Sequence, residues 1–152
     1  MGAGTSVISV SAATRGAFVV STDLHDLVDL MKQNKEENLQ AIETGHGKLE
    51  CLALDWTREL PRELTRTLSA WSGGDGDDVG GNGVAAPIDT DAPSSVSLVT
   101  FPDMILISDC VYYESSVDAL VKTLSALTGP RTLVLISMED RTSAEKASIN
   151  SA

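Results

Sequence analysis

The chain has 152 residues, of which 42% are hydrophobic and 22% are charged, a composition sufficient for one globular domain with a buried core. Its formal net charge of -11 repels polyphosphate and anionic lipid headgroups, so we expect neither nucleic acid nor a membrane surface as a direct partner. No apolar run approaches the roughly 20 residues of a membrane span, and the N-terminus has no basic segment before an apolar one, so we expect a cytoplasmic location.

The first predicted elements follow a glycine-rich turn. Residues 2–6 read Gly-Ala-Gly-Thr-Ser, and the small, largely apolar residues 7–15 predict a short buried helix ended by Gly16. The β-branched and aromatic run at residues 17–22 then predicts a strand that is covered on both faces, and Asp23 ends it.

A helix and a second strand come next. Apolar residues at three- and four-residue spacings predict an amphipathic helix over residues 24–39. A turn at residues 44–47 separates this helix from a strand at residues 48–54, which closes at Asp55 and Trp56.

The middle of the chain has a different composition. Residues 72–100 are mostly Gly, Asp, Ser, Pro and Ala, with almost no large apolar side chain. Because such a segment cannot form a buried core, we predict a disordered acidic insertion. It divides the domain into a first part, residues 1–71, and a second part, residues 101–142, and a polar tail follows at residues 143–152.

The second part of the domain repeats the alternation of strand and helix. We predict a strand at residues 104–108, a helix at about residues 116–127 and a strand at residues 132–137. Strands that alternate with helices, each strand almost continuous in apolar residues, predict an α/β fold with a parallel, doubly wound sheet.

The cysteines and histidines do not suggest a metal site. Cys51 and Cys110 lie in apolar stretches, where a reduced, packed thiol is the usual state. His25 and His46 lack neighbours at the spacings that zinc sites need. We therefore expect neither a disulfide nor a bound metal.

The residues after each strand form the candidate site, because ligands of a parallel α/β sheet bind beyond the carboxyl ends of the strands. Glycines before a helix let the backbone approach a ligand closely, and an acid about 20 residues further on can accept ribose hydroxyls. The spacing from Gly4 to Asp23 fits this arrangement and indicates a nucleoside cofactor. The sequence has no G-x-x-x-x-G-K-[ST] motif, which argues against a P-loop, whereas a nicotinamide cofactor stays open.

Four motifs resemble those of the methyltransferase-like 21 group of protein-lysine methyltransferases. They are Gly-Ala-Gly-Thr at residues 2–5, Val-Val-Ser-Thr-Asp-Leu at 19–24, Leu-Asp-Trp at 54–56 and Asp-Met-Ile-Leu-Ile-Ser-Asp-Cys-Val-Tyr-Tyr-Glu at 103–114. The resemblance runs from Gly2 to about Thr142. It implies a Rossmann-like, seven-strand methyltransferase fold and methyl transfer from S-adenosyl-L-methionine to a protein lysine.

The resemblance also implies which strand-end residues bind the cofactor. Asp23 accepts the ribose hydroxyls, and Trp56 packs on the adenine with Asp55 beside it. Ser108 lies under the cofactor, where the family usually has alanine. The methionine part is lined by Gly2, Ala3 and Gly4.

For catalysis, the resemblance implies that Asp109 and Tyr112 border the methyl group and the incoming lysine amine. In-line displacement by a neutral amine requires a site that desolvates and orients the reactants rather than one that supplies a strong base. A carboxylate and an aromatic face can hold the amine and the ammonium that develops. The implied partner is a protein that carries the target lysine, such as an AAA ATPase or a chaperone.

The sequence departs from the family pattern in two ways. The family has a buried strand before the glycine turn and an antiparallel pair of strands at the end, so we expect a truncated fold whose first and last strands are missing. Ser6 stands where the family usually has glycine, and we expect its side chain to crowd the turn. Both departures lead us to expect weak cofactor binding by this chain alone.

Simpler interpretations of the same residues stay open. Asp23 and Asp109 also suit ordinary strand ends or helix caps. Trp56 suits packing, and Tyr112 suits cover of a sheet edge. The alternative functions are a degenerate, non-catalytic scaffold and, less favoured, a nicotinamide-dependent oxidoreductase.

Overall fold

The computed structural model describes residues 1–72, 101–111 and 113–138. The elements in chain order are α1 (Val7–Ala13), β1 (Phe18–Asp23), α2 (Val28–Glu37), α3 (Leu39–Thr44), β2 (Lys48–Ala53), α4 (Arg62–Ser72), β3 (Met104–Ser108), α5 (Val117–Leu127) and β4 (Leu133–Ser137). Short 3-10 turns, His25–Leu27 and Glu114–Ser116, precede α2 and α5. None of the helices in these ranges has the length and apolar character to cross a membrane.

The four predicted strands and the helices α1 and α5 are confirmed, with ends that differ by one or two residues. The prediction that α1 is buried is wrong, since Ala13 is its one buried residue and Val7 and Ile8 are 69% and 50% exposed. The insertion predicted at residues 72–100 lies outside the described residues, except for Ser72 at the end of α4. Tyr112 and the polar tail at residues 143–152 also lie outside them.

The single helix predicted over residues 24–39 is wrong, because the structure divides it. Asn38, with φ -112° and ψ 9°, ends α2 and precedes α3. Its side-chain amide donates to the Asn34 carbonyl at 2.8 Å, an example of a local side-chain bond that competes with helix continuation. The break lets α3 bury Ile42 while α2 buries Val28 and Met31.

Both strand pairs are parallel, as predicted. β1 pairs with β2 so that Asp23 lies beside Ala53, and β3 pairs with β4 so that Ser108 lies beside Ser137. The described strands form two separate two-stranded sheets, β1–β2 and β3–β4. Residues 1–3 connect the two sheets. The Met1 amino group donates to the Leu106 carbonyl of β3 at 2.8 Å, and the Ala3 amide donates to the Thr22 carbonyl of β1 at 3.1 Å.

The two faces of the β1–β2 pair are both covered, as the apolar strand sequences predicted. One face packs in a cluster of buried apolar residues from α1, α2, α3 and β2: Ala13, Val28, Met31, Ile42, Leu49 and Cys51. The other face packs in a second cluster with α4, β3 and α5: Leu52, Leu54, Leu64, Ile105, Ile107, Leu120 and Leu127.

Cover on both faces is wrong for the β3–β4 pair within the described residues. Leu133 and Ile136 of β4 are each 50% exposed. The second cluster takes Ile105 and Ile107 from one side of β3, while Met104 and Ser108 at its ends stay exposed. Apolar strand sequence alone therefore did not decide which faces are buried here.

Candidate functional site

The glycine turn at residues 2–6 is held against the carboxyl end of β1. Gly2 and Gly4 have positive φ angles of 61° and 53°, which glycine adopts without steric penalty. The Gly4 amide donates to Asp23 Oδ2 at 2.8 Å, and the Leu24 amide donates to Asp23 Oδ1 at 2.7 Å. The structure therefore brings together the glycine and the acid that the sequence spacing had paired.

The Asp23 carboxylate keeps capacity for a ligand. An ionised carboxylate has about four acceptor positions, and the two described amide bonds occupy one position on each oxygen. Because Asp23 is partly exposed at the end of β1, its remaining positions can accept hydroxyl groups from solvent or a ligand.

Gly2 and Gly4 have different surroundings. A Cβ at Gly2 would overlap Cys110, lying 2.7 Å from its Sγ, and would lie 3.7 Å from Cζ2 of Trp56. A Cβ at Gly4 would have nothing within 4 Å. Gly2 therefore permits close packing of the turn on Cys110, whereas the backbone of Gly4 faces open space that a ligand can enter.

Trp56 and Asp55, which follow β2, both have partners within the protein. Trp56 is half-buried and packs against the second apolar cluster, and its carbonyl accepts a bond of 3.4 Å from Thr123 Oγ1. Asp55 Oδ1 accepts bonds from the Thr57 hydroxyl at 2.6 Å and the Thr57 amide at 2.9 Å. These bonds hold the pKa of Asp55 below its usual value, with a smaller contribution from Arg58. The described contacts of Asp55 thus stabilise the turn after β2.

The carboxyl end of β3 carries Ser108, which is exposed, and Asp109, which has a positive φ of 43°. The Asp109 amide donates to the Ser137 carbonyl of β4 at 2.8 Å, which fixes the backbone in this conformation. Aspartate tolerates the left-handed region better than most residues, and such conformations concentrate at functional sites. The structure thus gives Asp109 a distinctive backbone position, while its predicted partner Tyr112 is outside the described residues.

Cys110 lies at the centre of the candidate site, a position that its apolar sequence context did not indicate. Burial raises the pKa of the Cys110 thiol; the Met1 ammonium opposes this shift, and the charges of Asp23 and Asp109 add to it. The thiol packs on Gly2, in the turn that bonds to Asp23. The sequence signal that could have indicated a place in the site for Cys110 was its position between Asp109 and Tyr112.

Two serines near the turn were also missed as a pair. Ser6 is fully buried with φ 62°, and its hydroxyl lies 2.8 Å from the Ser21 hydroxyl of β1. The turn therefore accommodates Ser6, and the expected crowding is not seen. The signal in the sequence was the alternation of β1, which places Ser21 and Asp23 on one face.

The described residues contain no group of three or more His, Cys, Asp or Glu side chains placed to hold a metal ion. Cys51 and Cys110 are both free thiols.

The family model for lysine methyltransferases matches residues 1–69 and 89–152. The chain belongs to the lysine methyltransferase family. The part that the match skips, residues 70–88, overlaps the insertion predicted at residues 72–100. Membership implies a Rossmann-like α/β fold, with which the parallel strand pairs agree.

A curated relative is similar over part of the chain. It is the protein-lysine N-methyltransferase rrg1 of Schizosaccharomyces pombe (strain 972 / ATCC 24843), 42% identical over 57 residues. These residues are 37% of this chain and 19% of the relative, so the match spans about a fifth of that protein.

Proposed function

We propose that this chain forms the cofactor site of an S-adenosyl-L-methionine-dependent protein-lysine N-methyltransferase. The observation that carries the proposal is the 2.8 Å hydrogen bond from the Gly4 amide to Asp23 Oδ2, which joins the glycine turn to the acidic end of β1. Family membership supplies the class of reaction, and this contact supplies a place where a ribose can bind.

Within the family, the chain is proposed to fall in the methyltransferase-like 21 group, nearest to the valosin-containing protein lysine methyltransferase. The sequence in support is Ser-Asp-Cys-Val-Tyr-Tyr-Glu at residues 108–114 together with Met-Glu-Asp-Arg-Thr at residues 138–142. In a seven-strand fold of this kind, the strands β1 to β4 correspond to the second to fifth strands. Their parallel pairing is consistent with that correspondence.

The residues present fit the proposed cofactor. The open space at Gly4 admits a ligand against the backbone, and the Asp23 carboxylate has acceptor positions for the ribose hydroxyls. Asp55 and Trp56 are proposed to border the adenine, and Ser108 the underside of the cofactor. The methionine part is proposed to lie along Gly2, Ala3 and Gly4.

When bound, S-adenosyl-L-methionine supplies an electrophilic methyl group on its sulfonium. The chain must then orient a neutral lysine amine and stabilise the ammonium that develops. We assign the second task to the Asp109 carboxylate, since a fixed negative charge stabilises a developing positive charge best in a site with little water. Tyr112 is proposed to give the amine an aromatic wall.

The substrate is proposed to be a protein with an accessible lysine, and an AAA ATPase or a chaperone fits this description. The net charge of -11 favours association with a basic surface around that lysine. Reaction in the cytoplasm is part of the same proposal.

Cofactor binding by the full 152-residue chain tests the proposal. Saturation-transfer difference NMR detects weak binding, and we expect it to show that S-adenosylhomocysteine contacts the chain. Added S-adenosylmethionine should displace S-adenosylhomocysteine, and added NAD should not. Binding of NAD instead would point to an oxidoreductase. Absence of binding by any of these nucleosides would leave a scaffold as the better interpretation. We expect the chain alone to bind S-adenosylhomocysteine weakly, and isothermal titration calorimetry distinguishes weak from tight binding.

The role of Asp109 is tested by Asp109→Asn, because asparagine also tolerates a positive φ and keeps the shape of the side chain. We expect methyl transfer to protein lysines to slow by about 10²-fold, as for loss of one electrostatic stabiliser, with S-adenosylhomocysteine affinity almost unchanged. Tritiated methyl incorporation, with methyl-lysine identified by mass spectrometry, gives the rate. Asp103→Asn, at the exposed start of β3, is the matched control. Equal rates for the two variants would remove Asp109 from the reaction.

A further inference from the structure

Three consecutive residues of β1 each bond to the glycine turn. The Ser21 hydroxyl lies 2.8 Å from that of Ser6, the Thr22 carbonyl accepts from the Ala3 amide at 3.1 Å, and the Asp23 carboxylate accepts from the Gly4 amide at 2.8 Å. Because side chains alternate along a strand, Ser21 and Asp23 reach the turn from the same face of β1. The turn is thus fixed at Gly4 and again at Ser6.

The Ser21 hydroxyl lies within hydrogen-bonding distance of Ser6, Ser9 and Met31. Ser9 donates to the Ser21 oxygen at 2.9 Å, and Ser21 donates to Met31 Sδ at 3.6 Å. A hydroxyl has one proton and two acceptor positions. Either hydroxyl of the Ser6–Ser21 pair can donate, and with the Ser21 proton on Met31 it is Ser6 that donates. In both arrangements the two hydroxyls are bonded to each other.

The position of Ser6 gives this bond a specific purpose. Ser6 is fully buried, has φ 62° and ψ 18°, and its carbonyl accepts the first bond of α1, from the Val10 amide at 2.8 Å. Residues other than glycine rarely take this backbone conformation, so Ser6 needs a partner that holds it there. A buried hydroxyl also needs a partner, and Ser21 satisfies both requirements.

We propose that Ser6 and Ser21 are positioning residues for the cofactor, which set the place of the Gly4 backbone relative to the Asp23 carboxylate. The proposal rests on the proposed function, since it assigns these two serines to the same site. It differs from a purely structural role, because glycine at position 6 relieves the backbone strain and yet removes the bond to Ser21.

The decisive variant is Ser6→Gly, compared with Ser21→Ala, the double variant and Ser11→Ala. Ser11 is the matched control. It lies in α1, the helix that Ser6 precedes, and its hydroxyl bonds to the exposed Arg15 side chain. We expect Ser6→Gly and Ser21→Ala each to weaken S-adenosylhomocysteine binding about fivefold. Because they break the same bond, the double variant should lose no more than the larger single loss, allowing for error. Ser11→Ala should bind as the unchanged chain does.

Affinity and stability are read separately. The proposal requires Ser6→Gly to keep or raise the melting temperature while its affinity falls. If Ser6→Gly binds S-adenosylhomocysteine as tightly as the unchanged chain or more tightly, the proposal is overturned. The Ser6–Ser21 bond would then only satisfy a buried hydroxyl. Additive losses in the double variant would also count against the proposal.

A measurement without ligand separates this inference from the proposed function. We expect Ser21→Ala to raise the hydrogen-exchange rate of the Gly4 amide, measured by NMR, about fivefold over that in Ser11→Ala. If no cofactor binds but exchange at Gly4 accelerates, the cofactor proposal fails while the positioning of the turn by Ser21 stands. Unchanged exchange at Gly4 overturns the positioning itself.

Discussion

Replacing Asp23 with asparagine is expected to weaken S-adenosylhomocysteine binding by about 10- to 100-fold, the effect of losing hydrogen bonds to a charged group. The carboxylate accepts bonds from the Gly4 and Leu24 amides, one on each oxygen. Asparagine has a single acceptor oxygen, so it cannot keep both amide bonds and also receive a ribose. Isothermal titration calorimetry or ligand-observed NMR, according to affinity, gives the ratio of dissociation constants.

The control for this experiment is Asp26→Asn. Asp26 is an exposed acid three residues further along the chain, and its carboxylate lies 3.9 Å from the His25 imidazole. The Asp26→Asn substitution removes the same charge with no change at the glycine turn. The affinity for S-adenosylhomocysteine should therefore change by less than about twofold, because exposed charges are screened. Equal affinities for Asp23→Asn and the unchanged chain would show that the carboxylate has only a structural role.

Replacing Gly2 with alanine is expected to destabilise the fold more than the same change at Gly4. Both glycines have positive φ, which costs about 1–2 kcal/mol for another residue, but only Gly2 is packed against Cys110. Overpacking adds about 1–3 kcal/mol, so we expect a loss of about 2–5 kcal/mol at Gly2 and about 1–2 kcal/mol at Gly4. Thermal unfolding followed by circular dichroism measures the difference.

A second substitution separates strain from overlap. Cys110→Gly removes the Cβ and Sγ atoms that a Gly2 side chain would meet. In the Cys110→Gly background, Gly2→Ala should therefore lose only the share due to backbone strain, about the loss seen for Gly4→Ala. If Gly2→Ala lowers the free energy of unfolding equally with and without the Cys110 side chain, overlap with Cys110 is not the cause of the loss.

Much of the local structure followed from the sequence because local signals and burial agree there. The strand at Phe18–Asp23 combines β-branched residues with an acid at its end, and the structure places both as expected. Gly4 and Asp23 were predicted to lie at one site for the same reason, whereas the hydrogen bond between them was not predicted. A glycine turn before a helix and an acid after the next strand meet at one sheet edge in any parallel α/β unit.

Other features were missed because they depend on contacts between distant segments. The break at Asn38 follows from where Met31 and Ile42 can be buried, which helical periodicity does not reveal. Helix α4 was not predicted at all, although Leu64 in it is 3% exposed and packs with Ile105 and Ile107 of β3. The Asp55 bonds to Thr57 were missed although they are local, because the strand-end pattern does not show a turn that its side chain closes.

The sequence by itself determined the four strands, helices α1 and α5, the parallel pairing of the strands and the acids at the strand ends, because each depends on residues close together in the chain. Only the tertiary structure decided that Cys110 packs on Gly2 and that Ser6 bonds to Ser21. It also decided that the strands form two pairs connected through residues 1–3. These contacts join segments up to 108 positions apart, and which atoms meet there is fixed by close packing of the whole chain rather than by any local pattern.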